Sequence, residues 1–470
     1  MIPRRVPCDG LRPFLALLES RGTLCRITEP VDPRLDIAAV TMEACHEPDG
    51  GPALLFEKPS GSHYRVATNL FGSLERVCCA LGVDHLDQLT GRMSTLLCQI
   101  REPRLEVLDR QIAALPEFFR YQPRQSACPS SERIRQSTPD LEQFPFLQNW
   151  PDDGNASGCP RYMTLPLVLT RSPDGESVNA GIYRVQIRGR NQVAIRWKPG
   201  SGAARHAELY AEQGAAMPVA IALGGEPAAL FSAMFPLPGQ LDELTYAGFL
   251  QQRPLQTSAC DTVPLQVPHG AELVVEGFVT PGDTVTEGPF GNHTGFYDQA
   301  GPAARLQVTA VNHRPDAIIP ATLVGPPPME DCWMTKAWEK LLQSFLKHLV
   351  PGVTDIHLPL EWSFQQSAII SLENPKPGMV REIAGALWGM PWFASGRLLI
   401  FIDSATTAAE DLSAVSWRCI NLLDYGYDLI FDTSGRRLAL DATGCGRSRP
   451  PVAYEPELLR RAAALWERIR

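Results

Sequence analysis

At 470 residues the chain is too long for one ordinary hydrophobic core, so two or three domains are expected. Its composition is globular, 44% hydrophobic and 20% charged, with no biased tracts or internal repeats. A formal charge of −9 and a pI near 5.6 argue against nucleic acid or an anionic membrane as the main partner, because phosphate backbones demand a basic face.

Local basic sites for a phosphorylated cofactor remain open. The twelve cysteines are scattered, with one adjacent pair (Cys78-Cys79) and no C-x-x-C. That pattern fits neither a disulfide framework nor a zinc site, and predicts reduced thiols in a cytoplasmic protein. The start, Met1-Ile2-Pro3-Arg4-Arg5, runs into an amphipathic segment with Leu11, Phe14, Leu15 and Leu18, which reads as a folded helix and not a signal peptide. No run of about twenty apolar residues is present, so no membrane span is expected.

In chain order, residues 1–110 alternate short helices and strands and predict a small α/β region. Asp9 is placed to cap the first helix and Gly22 to end it. Ala53 to Phe56 and Tyr64 to Leu70 read as strands, and Leu74 to Leu81 as the start of a helix. From 111 to 160 the chain is polar and rich in proline, including Pro116, Pro129 and Pro145, which predicts a connector wrapped over another domain. Period-2 strand patterns then dominate to about 315: 163–170, 179–187, 192–197, 218–223, 272–279 and 304–312. With a helix near 242–252, these predict a mainly-β, barrel-like domain within 111–320. After 320 the pattern becomes α/β: a helix over Asp331 to His348, strands at Val353 to Leu358, Ser367 to Leu372 and Leu398 to Ile402, and helices over Gly378 to Trp388 and from about Ala408. An amphipathic helix, Pro456 to Arg470, closes this 321–470 domain.

Two clusters carry chemistry. The first is Glu287-Gly288-Pro289-Phe290-Gly291-Asn292-His293-Thr294-Gly295, which reads as a glycine-rich loop after the 272–279 strand, stiffened by Pro289. The second gathers Asn179, Tyr183, Arg184, Arg196, Trp197, Lys198, Ser201 and Gly202, with Glu243 further on. Arg184 could hold a carboxylate or phosphate by two parallel hydrogen bonds. The Lys198-Pro199-Gly200-Ser201-Gly202 turn offers N–H groups and a cation to a phosphate. Asn179 and Glu243 supply the oxygen ligands that a hard divalent ion prefers.

Taken together, Asn179-x-Gly181-Ile182-Tyr183-Arg184, Arg196-Trp197, Leu241-Asp242-Glu243-x-x-Tyr246-Ala247-Gly248 and the Glu287 to Gly295 stretch resemble the UbiD family of decarboxylases. Weaker matches at Gly51 to Phe56, Asn69 to Gly72 and Leu440 to Thr443 extend the resemblance along nearly the whole chain. It implies a flavin-reductase-like split barrel and a C-terminal α/β domain that joins a homo-oligomer. It further implies prenylated FMN, supplied by a flavin prenyltransferase, and Mn²⁺ or Mg²⁺ bridging to its phosphate, with K⁺ a further candidate.

By the same resemblance, Asn179 and Glu243 match metal ligands. Ile182, Tyr183, Arg184, Arg196, Trp197, Lys198, Ser201 and Gly202 match cofactor-contacting positions. Arg184 and Glu287 match a pair facing the modified flavin and the substrate carboxylate, with Asn292 and His293 beside them. The reaction implied is decarboxylation of an aromatic, heteroaromatic or α,β-unsaturated acid, in which the cofactor supplies the electron sink. A scaffold paralogue without decarboxylase activity, or a plain FMN oxidoreductase, are the alternatives.

The chain departs from the family pattern in three places. The usual acidic proton donor is replaced by Asn292, an amide without an accessible acidic pKa. Glu287, a water held by Asn292, or His293 would then have to supply the proton. Gly200 stands where relatives carry a metal-binding His, with His206 the nearest histidine. The acidic run after the C-terminal strand is reduced to Asp403-Ser404-Ala405, and Arg397 stands where a Lys often lies near the cofactor phosphate.

Overall fold

The structure, a computed structural model, describes residues 7–126, 133–235, 237–238, 241–362, 366–394, 396–446, 452 and 454–470. The Met1 to Arg5 reading and Pro129 of the connector lie outside these residues. The first helix is Leu11–Ser20. Gly22 ends it in the left-handed region (φ 69°), while Thr23 donates back to the Leu18 carbonyl. Asp9 does not cap its start: Gly10 takes that place without a side-chain bond, because the Asp9 carboxylate is drawn to Arg253. The helix Leu74–Leu81 has the bounds its caps predict, with Ser73 accepting from the Arg76 N–H and Gly82 left-handed.

Four strands form the first sheet, in the order Leu24–Val31, Ala53–Pro59, Arg65–Thr68, Ile318–Pro320. Its last strand comes from far down the chain and pairs parallel with Arg65–Thr68. Nearby, Phe71 donates its N–H to the buried Glu330 carboxylate at 3.0 Å, 259 positions away.

A nine-stranded antiparallel sheet dominates the middle of the molecule. Its order is Tyr162–Met163, Val185–Ile187, Gln192–Ile195, Gly301–His313, Ala271–Glu287, Met217–Gly224, Leu167–Arg171, Val178–Ile182, with Ile134–Arg135 added beside Gly301–His313. Val178–Ile182 and Val185–Ile187 are consecutive in sequence, yet six strand spacings apart in the sheet. If the sheet were flat, those spacings would separate them by about 29 Å. The link from Ile182 to Val185 reaches at most about 10 Å. The sheet must therefore curl until its two ends meet, and Tyr183 and Arg184 cross that seam. Inside the curl, Val193, Ile195, Val219, Ile221, Leu273 and Leu306 are buried in one cluster.

One strand runs far past its predicted pattern. Ala271–Glu287 runs on for eight residues beyond Val279, through a register shift between Val279 and Thr284, and stays paired with Gly301–His313. Glu287 thus ends a strand and does not sit in a loop. Helices without a sequence forecast also appear, two of them near the predicted clusters. Gly202–Glu212 starts where a plain turn was expected, because Ser201 accepts from the Ala204 N–H as its cap. Pro227–Met234 is buried over most of its length and lacks an amphipathic stripe. The forecast helix near 242–252 is Glu243–Gln251, capped by Asp242.

The C-terminal sheet has the order Val353–His357, Ser367–Leu372, Leu398–Asp403, Leu438–Asp441, Leu429–Phe431, with its three middle strands parallel. Helix Glu330–Leu349 is mostly buried and shares one large core with helices Leu74–Leu81, Asp87–Leu97 and Pro227–Met234. Helix Leu412–Leu422 begins later than Ala408 because Asp411 caps it. Pro456–Ile469 is an amphipathic helix with no buried residue, and Leu459, Trp466 and Ile469 stand exposed. No described helix is long and apolar enough to cross a membrane.

Candidate active site at the barrel seam

Arg184 lies in the seam, where no strand partner fixes its backbone. Its Nε and Nη2 donate to the two oxygens of Glu287 at 2.9 and 3.0 Å, a fork-to-fork pair. Glu287 is fully buried, whereas Arg184 keeps part of its surface open (17%). The guanidinium lies 4.8 Å above the Phe290 ring, which supports it from below. Arg196 approaches the same carboxylate at 3.7 Å and donates to the Gln299 carbonyl.

The stretch after Glu287 folds as a small hairpin, Phe290–Gly291 against Tyr297–Asp298, with Phe290 opposite Asp298. This register brings a carboxylate that the sequence reading did not single out: Asp298 accepts from Arg184 Nη1 and from Asn292 Nδ2, the latter at 3.0 Å. Asn292 in turn accepts the His293 N–H at 2.8 Å through its side-chain oxygen. The signal was present in Gly295, whose positive φ (81°) lets the chain reverse and return six residues later beside Asn292.

A second carboxylate, Asp153, anchors the hairpin. It is fully buried and accepts the N–H groups of Gly291 (2.8 Å) and Trp150 (3.0 Å). Gly154 donates to the Pro289 carbonyl at 2.8 Å. A Cβ at Gly291 would fall 2.1 Å from the Trp150 ring, so glycine is required for this close approach. The connector therefore does more than wrap the surface, since it anchors the hairpin through Asp153 and Gly154.

The charges divide by burial. Burial opposes the Arg184 cation, yet Glu287 and Asp298 outweigh it and hold its pKa above the ordinary value. Burial would also raise Asp298, but hydrogen bonds from Arg184 and Asn292 keep it below the usual carboxylate range. Burial lifts Asp153 to about 6 against the N–H groups it accepts. His293 is lowered by burial and is neutral near pH 7.

The other predicted cluster forms along the edge strand Val178–Ile182. Glu243, at the start of its helix, is half-buried and accepts the Ala180 N–H at 3.1 Å, closing the sheet edge; burial pushes its pKa up to about 8. Asn179 is buried beside it, and its Nδ2 has no hydrogen-bond partner. Gly202 lets this amide pack closely against its backbone: a Cβ there would stand 2.2 Å from Asn179 Oδ1. Tyr183 faces Asn179, Ser201 and Glu243, and meets Trp197 edge-on at 5.4 Å. The Trp197 Nε1 is also buried without a partner. Ile182 is half-buried, and Lys198 is exposed just ahead of the Gly202–Glu212 helix.

His206 and Arg397 complete the residues named from the sequence. His206 is buried with its ring held from both sides, by Thr170 Oγ1 and Ser177 Oγ at 2.9 Å each, so it locks its helix to the sheet and is not turned toward Asn179 and Glu243 as a ligand. Arg397 is exposed and begins the Leu398–Asp403 strand region of the C-terminal sheet, hydrogen bonded through its backbone to Gln366 and Leu438. Among the described residues no cluster of three His, Cys, Asp or Glu side chains is arranged for a metal ion. The oxygen pair Asn179 and Glu243 stands without a third such ligand.

Three family models match the chain: the 3-octaprenyl-4-hydroxybenzoate carboxy-lyase N-terminal domain over residues 15–93, its Rift-related domain over 121–327, and its C-terminal domain over 332–448. An uncharacterised protein of Archaeoglobus fulgidus is 32% identical over 98% of both chains, and one of Aquifex aeolicus is 33% identical over 98% of both. Among solved structures, an evolved dimeric form of the UbiD-class enzyme HmfF from Pelotomaculum thermopropionicum, in complex with prFMN, superposes with a TM-score of 0.79. It is 26% identical, over 96% of this chain and 98% of that one. Vanillic acid decarboxylase from Sedimentibacter hydroxybenzoicus shares the fold, with a TM-score of 0.83 at 24% identity over 98% and 99% of the two chains.

Proposed function

The chain belongs to the UbiD family of carboxy-lyases, and we propose that it is a prenylated-FMN-dependent, non-oxidative decarboxylase of an aromatic, heteroaromatic or α,β-unsaturated carboxylic acid. The observation that carries this reading is the fork-to-fork Arg184–Glu287 pair at the seam of the curled sheet. A guanidinium set in a fixed plane, with N–H groups to spare, is suited to orient a carboxylate.

The residues present fit a phosphorylated cofactor and a divalent ion. A half-buried carboxylate with one backbone donor and an unpartnered buried amide packed against Gly202 converge beside the start of a helix. Helix starts favour phosphate, and hard cations favour such oxygens. Asn179 and Glu243 would hold Mn²⁺ or Mg²⁺, which would neutralise phosphate charge. Lys198, Ser201, Gly202 and Trp197 would border the phosphate and ring, with Ile182, Tyr183 and Arg196 along the same face.

Loss of CO₂ leaves the electron pair of the broken C–C bond on carbon, and the prenylated flavin, when bound, supplies the sink for it. The chain's own part is electrostatic and geometric. Arg184 positions the carboxylate, Glu287 and Phe290 fix the guanidinium plane, and the contact weakens as neutral CO₂ departs. The exposed apolar face of Pro456–Ile469 suits packing against a second copy, as a dimeric relative would require.

The test is expression with a flavin prenyltransferase, followed by CO₂ measurement over a panel of aryl and enoic acids. Wild type should release CO₂, and Glu287→Gln should lose at least about 10²-fold in kcat. Full turnover in that variant would remove Glu287 from the mechanism. The spectrum of unmodified FMN, with redox activity and no CO₂, would favour an oxidoreductase.

A further inference from the structure

We propose that Asp298 is the proton donor of this site, with Asn292 as the residue that positions it. The proposal rests on the carboxy-lyase reading above and concerns the step after CO₂ has left. That step needs one proton per turnover, delivered to carbon and restored from solvent. Glu287 is poorly placed for it: it is fully buried, and both its oxygens are engaged by Arg184. Asn292 has no acidic proton to give. Asp298 is the carboxylate of the cluster that touches Arg184 on one side and keeps part of its surface (39%) open to water on the other.

The hairpin accounts for its placement. Asp298 lies opposite Phe290, the ring beneath the Arg184 guanidinium, so the register that builds the Arg184 platform also sets Asp298 at its edge. The Asn292 amide, just past the facing strand Phe290–Gly291, fixes the carboxylate at 3.0 Å. The acid that Asn292 cannot supply is thus offered by the opposite strand of the hairpin.

The charged groups around Asp298 also describe how it is loaded. In the free protein Arg184 and Arg196 favour its carboxylate, while His293, beside it, is neutral and faces Lys198. A substrate carboxylate arriving at Arg184 would be a third anion on one guanidinium, after Glu287 and Asp298. Like charges so crowded favour protonation of one of them, and Asp298 is the one with access to solvent protons. Cleavage of the C–C bond then leaves its electron pair on carbon. A C–H bond forms there as the Asp298 O–H bond breaks, and solvent reprotonates Asp298 once the next acid binds.

Two measurements test this on enzyme made with the flavin prenyltransferase. In the first, Asp298→Asn should lower kcat at least about 100-fold, the usual worth of a general acid, with flavin content unchanged. The exchanged pair Asn292→Asp/Asp298→Asn should regain at least tenfold. Turnover of Asp298→Asn within threefold of wild type overturns the proposal while leaving the decarboxylase reading intact. In the second, infrared difference spectra at pH 7 with benzoate as probe should show a protonated carboxyl band in wild type that is absent from Asp298→Asn. No band, with or without benzoate binding, overturns proton loading at Asp298. A band without CO₂ release from any acid would overturn the reaction and retain Asp298 as the loaded carboxyl.

Discussion

Gly202→Ala probes the Asn179 and Glu243 cradle without touching a charged group. The added Cβ would lie 2.2 Å from Asn179 Oδ1, 2.9 Å from its Cγ and 3.1 Å from its Cβ. An ordinary contact requires the amide to retreat by roughly 1 Å, since close-packed interiors do not absorb such overlap. Retreat is opposed on two sides. The Asn179 backbone is paired with Thr170, and the Tyr183 ring closes the space over Gly181, where a Cβ would stand 2.4 Å away. Overpacking of this kind costs about 1–3 kcal/mol, and replacing glycine by alanine in a helix returns about 0.5–1. A net loss of about 1–2 kcal/mol would move Tm by only about 1–2 °C in a chain of this length. Binding should respond far more, because the displaced amide is itself a candidate ligand. We expect metal affinity to fall about 10–100-fold, with flavin content falling alongside. The assay is metal and flavin per chain after purification, with Gly385→Ala as control, since nothing lies within 4 Å of a Cβ there. Wild-type metal and flavin content in Gly202→Ala would refute the assignment of this cradle.

Asp153 gives a pH prediction. Its pKa stands near 6 in the fold against 3.8 ordinarily, so the folded state keeps a proton that the unfolded chain has lost. Asp153 should therefore cost stability progressively from about pH 4 to 6, by up to ~3 kcal/mol, and level off above. Denaturant unfolding of Asp153→Asn should gain on wild type across that window; parallel curves would contradict the burial argument. Glu287→Gln leaves Arg184 with Asp298 alone, and calorimetry should show a loss of about 2–4 kcal/mol, below the ~5 seen where no partner remains. Truncation before Pro456 removes the exposed Leu459, Trp466 and Ile469 face, and light scattering should then report a smaller assembly than the full chain forms.

Elements with strong local signals were legible in the sequence. The Leu74–Leu81 helix has a serine cap and a glycine stop, and Ser367–Leu372 is an apolar run bounded by polar residues. The Gly202–Glu212 helix was hidden because few of its residues are buried and its cap reads equally well as a turn. Arg184 and Glu287 were legible as a pair, but the seam that joins them was not. It follows from strand order, which no local pattern encodes. Asp298 was missed for a related reason: its partners are fixed by hairpin register, and a carboxylate outside the glycine-rich stretch looks like any solvated acid.

The parallel pairing of Ile318–Pro320 with Arg65–Thr68 has a consequence for synthesis. The N-terminal sheet lacks its last strand, and Phe71 its carboxylate partner, until the ribosome has added the 259 residues that separate Phe71 from Glu330. At roughly 5–20 residues per second, that interval lasts on the order of 13–50 s. Throughout it the nascent chain displays an unpaired edge at Arg65–Thr68, a surface that pairs readily with foreign strands. Arrested nascent chains ending before Ile318 should accordingly bind chaperones more strongly than chains that extend past Leu349.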